Sequence, residues 1–415
     1  MSLLLVPLVK IAIILFGVMT AAAYFVLLER RVAAWVQDRR GPNRVGIPGT
    51  NIRLFGLGQP LADGLKMILK EEYTPAHVDR GLYLLAPLVM MSAALAVFAV
   101  IPCGSTLPPI PALGLQEPIA MLVAPSFDVG MIYVFALSSI AVYGVILGGW
   151  ASNSKYSFLG GLRSSAQLIA YELPLGLGLL GVVLATGSLR LDAIVAEQAN
   201  TGVWFALSQP LGMLIFMISA FAEAARLPFD LPECEQELVG GYHTEYAGMK
   251  LVVFLTAEFI HMITASFLIS ILFLGGWHFW GLTGNAETPI TWTLAAIRVG
   301  VLFAKVFAVI FFFMMVRWSW PRFRYDQLLA LAWKVLLPLG LLNLVVLAIL
   351  MEVQHPQVAG GWLDERFGAG RAVVSWLPGW LLLVLAFMLV AWLRPIMTDN
   401  RPRTDVDLLD SPLQE

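Results

Sequence analysis

Nine stretches of the chain stay apolar for about the 20 residues that a helix needs to cross a bilayer. They fall at 3–28, 82–101, 128–150, 165–186, 208–225, 250–274, 298–316, 333–351 and 377–393. The pattern predicts an all-α polytopic integral membrane protein of about nine transmembrane helices. The segment 60–72, PLADGLKMILKEE, breaks the pattern. Leu61, Leu65, Ile68 and Leu69 recur there at helical spacing, while Asp63, Lys66 and Lys70 fall elsewhere around the helix. An amphipathic helix of that design lies along a membrane surface. Loop 102–127 carries Pro102, Pro108, Pro109, Pro111, Pro118 and Pro125 and reads as an extended connection. The first apolar run continues to Leu28 with no small-residue cleavage site after it, so it predicts a retained span rather than a signal peptide. No internal repeat is visible, which counts against an inverted-repeat transporter.

Charge in the loops sets the orientation. Segment 29–81 holds Arg30, Arg31, Arg39, Arg40, Arg44, Arg53, Lys66, Lys70 and Arg80, whereas 102–127 and 275–297 have no lysine or arginine. Arg317, Arg322, Arg324 and Lys334 follow the seventh span, and Arg394, Arg401 and Arg403 the ninth. The positive-inside rule then predicts an N-terminus outside, a cytoplasmic C-terminus and a cytoplasmic surface helix.

Composition narrows the classes. Of 415 residues 59% are hydrophobic and 13% charged, against about 25% charged in soluble domains. No basic run argues for nucleic acid. Cys103 and Cys234 make neither a disulfide framework nor a CxxC metal site. There is no GxGxxG, no cysteine cluster and no pair of histidines on facing helices, so the chain is expected to carry no flavin, NAD, iron–sulfur or haem site of its own.

The candidate chemistry lies in charges near the hydrocarbon. Between Ala222 and Tyr246 the chain carries Glu223, Asp230, Glu233, Glu235, Glu237 and Glu245 with a single arginine, Arg226. Carboxylates are unfavourable near lipid unless they face protein or water, so the cluster suggests a proton or polar-substrate path. Asp230, Pro232 and Glu233 also have capping-box spacing, which would leave Glu235 and Glu237 facing water. Glu223 sits inside the apolar run, one turn before Pro228, with Arg226 as its partner at i+3. Glu172 lies beside Pro174, whose missing N–H frees the Ala170 carbonyl, and Gly176, Gly178 and Gly181 loosen that helix or admit a close neighbour. Glu258 has His261 at i+3. Interhelical hydrogen bonding alone would account for any one of these carboxylates; three on membrane helices suggest a relay. Lys305 lies about two turns inside the seventh span. Arg298, at the outer end of that span, is expected to snorkel, and Lys10 is ambiguous. Glu29, Arg30 and Arg31 end the first helix, either as orientation signals or as a polar pocket at the membrane surface.

Six segments occur in order: ERRVAAWVQDRRGPNRVG, QPLADGLKMILKE, GWASNSKY, AQLIAYELP, AEAARLPFDLPECEQELVGGYHTEYAGMK and PRFRYDQLLALAWKVLLP. Together they resemble the family of the H-type membrane subunit (subunit 1) of respiratory complex I, the proton-pumping NADH:quinone oxidoreductase. The resemblance runs from about Leu3 to Met351. It implies a family core of eight transmembrane helices, with a ninth helix and an acidic tail in 352–415. It implies that Glu29, Arg30, Asp63, Arg317, Arg322 and Arg324 line a quinone chamber built with hydrophilic partner subunits. It further implies that Arg226, Asp230, Glu233, Glu235, Glu237 and Glu245 couple that chamber to the membrane, where Glu172, Glu223, Glu258 and Lys305 belong to the proton path. Quinone would be a substrate, and FMN and iron–sulfur clusters would sit in partner subunits.

The chain departs from the family pattern in three places. The usual Asn before the loop arginine is Ala225. The Arg317–Arg322 motif carries Trp318 and Trp320. The extension beyond Met351 has no evident role, a docking helix for a neighbouring subunit being one guess. Two other readings stay open: the homologous subunit of an energy-converting hydrogenase or other complex-I-like oxidoreductase, and a stand-alone proton-coupled transporter.

Overall fold

The computed structural model of the chain describes residues 2–46, 54–109, 111, 118–125, 127–232, 235–354 and 371–393. The long helices are α1 (Ser2–Val36), α3 (Arg80–Ala96), α4 (Gly130–Ala151), α5 (Lys155–Thr186), α10 (Gly248–Leu272) and α12 (Trp292–Ser319). A seventh runs from α13 (Tyr325–Ala330) through a π-helical stretch, Leu331–Leu336, into α14 (Leu337–Gln354). Among the described residues these seven are long and apolar enough to cross a membrane. The protein is thus an all-α polytopic membrane protein.

The two remaining predicted spans differ. The fifth is a broken element, α7 (Phe205–Ser208) followed by α8 (Pro210–Glu223). Pro210 supplies no N–H and Gln209 leaves helical geometry (φ −131, ψ 58), so the ladder is interrupted. At 14 residues α8 covers about 21 Å, short of the roughly 30 Å hydrocarbon core. The ninth is α15 (Arg371–Leu393), whose apolar stretch is Leu377–Ala391. It packs on α7 and α8, burying Leu382 and Ala386, while Leu377, Leu381, Leu385 and Met388 stay exposed. An 11-residue helix absent from the pattern reading, α6 (Leu191–Thr201), turns Leu191, Ile194, Val195 and Ala199 into the bundle.

Helix α10 is the central post, packed against α3, α12, α1, α8 and α6 and buried along most of its length. Several helices overrun their predicted ends. Helix α1 continues past Arg31 to Val36, so Glu29 and Arg30 sit within it, and α5 begins at Lys155, ten residues early. Pro174 does not break α5, which is continuous to Thr186. Gly178 is where α5 and α8 meet: a Cβ there would lie 3.0 Å from the Gly212 carbonyl oxygen. Gly176 faces open space. Gly160 performs the same service for the loop before α10, since its Cβ would fall 2.6 Å from the Gly241 backbone.

Helix α2 (Gln59–Leu69) buries none of its residues, and Leu61, Leu65, Ile68 and Leu69 are all exposed. An apolar stripe with no protein against it among the described residues suits a helix lying at a membrane surface. The 102–127 connection contains one short antiparallel pair, β1 (Thr106–Leu107) with β2 (Ile119–Ala120).

Arg298 corrects the expectation of snorkelling. It is 1% exposed and donates to the Thr283 carbonyl from Nε (3.1 Å) and Nη2 (3.0 Å), and to the Asn285 carbonyl (2.7 Å). Its guanidinium also stacks on Trp277 at 4.1 Å. A residue that satisfies carbonyls in this way closes the loop after the one-turn α11 (Trp280–Thr283) over the bundle. Lys10 donates to the Leu122 carbonyl and ties α1 to the 102–127 connection.

Candidate functional site

Helix α8 ends in a hydrogen-bond pattern that aims the next residues. The Ala225 N–H donates to the Ala222 carbonyl (3.2 Å) and the Arg226 N–H to the Phe221 carbonyl (3.4 Å), the paired bonds of a Schellman cap. The cap needs its penultimate residue left-handed, and Ala225 is held at φ 51. Pro228 follows two residues after Arg226, as is common after a helix stop. The turn is then clasped from α5: Gln167 Nε2 donates to both the Ala222 carbonyl (2.9 Å) and the Phe229 carbonyl (2.7 Å). Ala224, Ala225, Phe229 and Leu231 are all buried.

Two charged groups lie against this turn. Glu29 of α1 stands between Arg226 Nη1, at 3.5 Å from Oε2, and Arg317 Nη1, which pairs with Oε1. The Arg226 guanidinium also stacks on Phe259, 4.2 Å from the ring centroid. Glu237, in the short helix α9 (Glu235–Leu238), stands between Arg163 at 2.7 Å and Arg322 at 3.3 Å, but on the surface. Arg30 pairs with Asp63 of α2 at 2.7 Å. Arg324 immediately precedes α13.

Glu172, Glu223 and Glu258 come from three helices and line one cavity of about 40 Å³, together with Ser138, Ser164, Tyr242 and His261. At roughly 10–15 Å³ per water, that is room for about three waters. Glu172 accepts from Ser139, Glu223 from Ser138, and Glu258 from the Tyr242 hydroxyl at 3.0 Å. Glu223 and Glu172 are close enough to feel each other's charge. A second, smaller cavity shares Ser138, Glu223 and His261 with the first and adds Phe135, Leu175, Thr264 and Leu268.

Other sequence-derived residues lie apart. Asp230 is buried beside the turn. Glu233 lies outside the described residues. Glu245 faces His77 at 4.0 Å, and its carbonyl accepts from the Tyr83 hydroxyl at 2.8 Å. Burial raises the pKa of the Tyr246 hydroxyl, which donates to the Tyr83 carbonyl beside it. Lys305 lines neither cavity. It donates to the Leu274, Gly276 (3.0 Å) and His278 (2.6 Å) carbonyls, and lies 4.3 Å above the Trp204 ring. Three carbonyls and an aromatic face make it an anchor for the turn after α10. Burial, with Lys305 and Arg298 nearby, lowers the pKa of His278.

Sequence reasoning missed Gln167, Ser138, Ser139, Tyr242 and Arg163. Gln167 stands five residues before Glu172, inside a segment already singled out. The two serines had no signal beyond being polar in an apolar span. Among the described residues no group of three or more His, Cys, Asp and Glu side chains is arranged to hold a metal.

Residues 9–348 match the family model described as NADH dehydrogenase. The NADH-quinone oxidoreductase H subunit numbered 1 in Geobacter metallireducens is 49% identical over 341 residues, covering 82% of this chain and 95% of that protein. NADH-quinone oxidoreductase subunit 8 from Thermus thermophilus is 48% identical over 348 residues, covering 84% of this chain and 87% of that protein. The corresponding H subunit from Protochlamydia amoebophila is 46% identical over 329 residues, with 79% and 92% covered. The family match takes in most of α1 and α14 and stops before α15. The chain belongs to the NADH dehydrogenase family, whose members include the H-type subunits of NADH-quinone oxidoreductase.

Proposed function

We propose that this chain is the membrane subunit of a proton-translocating NADH:quinone oxidoreductase. In this reading its arginine-rich face completes a quinone pocket with hydrophilic partner subunits, which hold the FMN and iron–sulfur clusters, and small membrane subunits flank it. That face is cytoplasmic and the N-terminus periplasmic, in the inner membrane of a bacterium. Residues 1–351 carry the function and 352–415 are an extension. Glu29, Arg30, Asp63, Arg317, Arg322 and Arg324 belong to the pocket side. Arg226, Asp230, Glu233, Glu235, Glu237 and Glu245 couple it to the membrane carboxylates Glu172, Glu223 and Glu258. Lys305 belongs to the same proton path, its ammonium held by three carbonyls of the turn after α10.

One observation carries the reading. Arg226, buried against Glu29, is three residues from Glu223, which lines a cavity with two other membrane carboxylates. Reduction of a quinone takes up two electrons and two protons. Negative charge arriving beside Arg226 and Arg317 weakens their hold on Glu29 and alters the field at Glu223. A change of field at a buried carboxylate changes its proton occupancy. The waters that fit beside it give the proton somewhere to go.

The test uses the assembled complex in vesicles. Glu223→Gln and Arg226→Ala should each lower quinone reductase activity and proton uptake together. Wild-type coupled activity in both variants would sink the proposal. Photolabelling with a quinone analogue should mark this chain, and an unlabelled chain in an active complex would exclude the pocket role.

A further inference from the structure

One buried titratable group in the carboxylate cavity has no role in the mechanism above. His261 lies on α10 one turn beyond Glu258, and it lines both the cavity of about 40 Å³ and the smaller one of about 10 Å³. Four residues are common to the two cavities: Ser138, Glu223, Ala224 and His261. Of these only Glu223 and His261 carry a titratable side chain. Among the described residues the imidazole Nε2 is buried without a hydrogen-bond partner, and so is Thr264 Oγ1, one turn further on in the smaller cavity. Glu258, His261 and Thr264 thus form a polar series at i, i+3 and i+6, which climbs about 9 Å along the axis of α10.

An apolar structural role does not account for this arrangement. A buried imidazole used only for packing normally has its ring nitrogens satisfied, because an unpaired buried polar atom is unfavourable by about 1–3 kcal/mol. Here the ring borders a space sized for water, beside a carboxylate that the proposed function makes a proton carrier. We infer that His261 is a further proton-relay residue, which passes protons between Glu223 and the deeper part of the bundle. The inference rests on the proposed function. Its chemistry balances within the set: one ring nitrogen takes a proton from Glu223 or from an intervening water, and the other releases one toward the smaller cavity. The ring returns to its starting tautomer by rotation, which leaves one proton moved. The groups that face it are Glu258 on its own helix, Glu172 from α5, Glu223 from α8 and the Tyr242 hydroxyl.

The experiment compares His261→Phe, His261→Gln and Glu223→Gln in the assembled complex reconstituted in vesicles. It reads complex yield, NADH:quinone turnover, proton uptake and the ratio of rates in H2O and D2O. Gln keeps a donor and an acceptor in the cavity but cannot take up a proton. Both His261 variants should lose turnover by about 10²-fold, the lower end of what a positioned proton-transfer group supplies. The residual turnover of His261→Gln should slow more in D2O than that of the wild type. If His261→Gln turns over like the wild type while Glu223→Gln is impaired, His261 is only a hydrogen-bonding residue and the inference fails alone. If Glu223→Gln is also unimpaired, the proposed function has failed with it. Should His261→Phe not assemble, the His261→Gln comparison decides.

Discussion

Glu29→Gln should be far more damaging than the removal of either of its arginines. Glu29 stands between Arg226 and Arg317, and the three side chains are 11%, 5% and 16% exposed. Substituting Arg317 by Gln leaves Glu29 still paired with Arg226 at 3.5 Å. Substituting Glu29 removes both attractions at once and sets two buried cations against each other. At a separation near 4 Å and an effective dielectric near 20, each pair is worth about 4 kcal/mol before desolvation. Breaking a buried pair from one side typically destabilises by about 3–5 kcal/mol, so Glu29→Gln should reach that range and Arg317→Gln about half of it. Glu237 supplies the control, with the same two-arginine arrangement but a side chain 44% exposed. Glu237→Gln should alter stability by at most about 1 kcal/mol, and less at high salt. The assay is the yield of assembled complex on native gels, with the thermal inactivation midpoint of the solubilised complex at low and high salt. If Glu29→Gln lowers the midpoint no more than Arg317→Gln, or Glu237→Gln lowers it more than Glu29→Gln, the assignment of burial as the deciding factor is wrong.

Further predictions follow from single positions. A left-handed residue other than Gly is unfavourable by about 1–2 kcal/mol, so Ala225→Gly should stabilise the end of α8 and raise the thermal midpoint, while Ala225→Val should lower it. Gly160→Ala places a Cβ against the Gly241 backbone and should destabilise by about 1–3 kcal/mol, read as reduced complex yield. Burial pushes the Cys103 thiol up to about 11. Because only the thiolate reacts, in a Cys234→Ser background Cys103 should resist alkylation at pH 8 and label progressively faster toward pH 11. Rapid modification at pH 8 would contradict that burial.

The architecture was largely readable because bilayer length and the 3.6-residue period act locally. Membrane helices such as α3, α4 and α10 announce themselves by twenty apolar residues. What was not readable depends on partners distant in sequence. Pro210 marks where the fifth span can break, but the opening at Gln209 is also held by Gln209 Nε2 on the Gly181 carbonyl of another helix, which the sequence does not show. Arg298 looked like an end-of-helix cation, since its acceptors at Thr283 and Asn285 are defined only by the folded loop. In the candidate site, the three membrane carboxylates stood out against an apolar background. That they share one cavity was not deducible, because the rotations of α5, α8 and α10 about their axes set it. Lys305 stood out by its depth in the span, whereas the three carbonyls that hold it were not deducible from the sequence.

The amide of Gln167 has a mechanical consequence for the turn it clasps. One side chain holds the carbonyls at both ends of the segment from Ala222 to Phe229, so those ends move together or not at all. Opening the clasp would give up two hydrogen bonds of about 1 kcal/mol each in a site where water is scarce. The segment therefore acts as a rigid spacer between Arg226 and Glu223. A signal crossing it travels as a change in electric potential over a fixed distance.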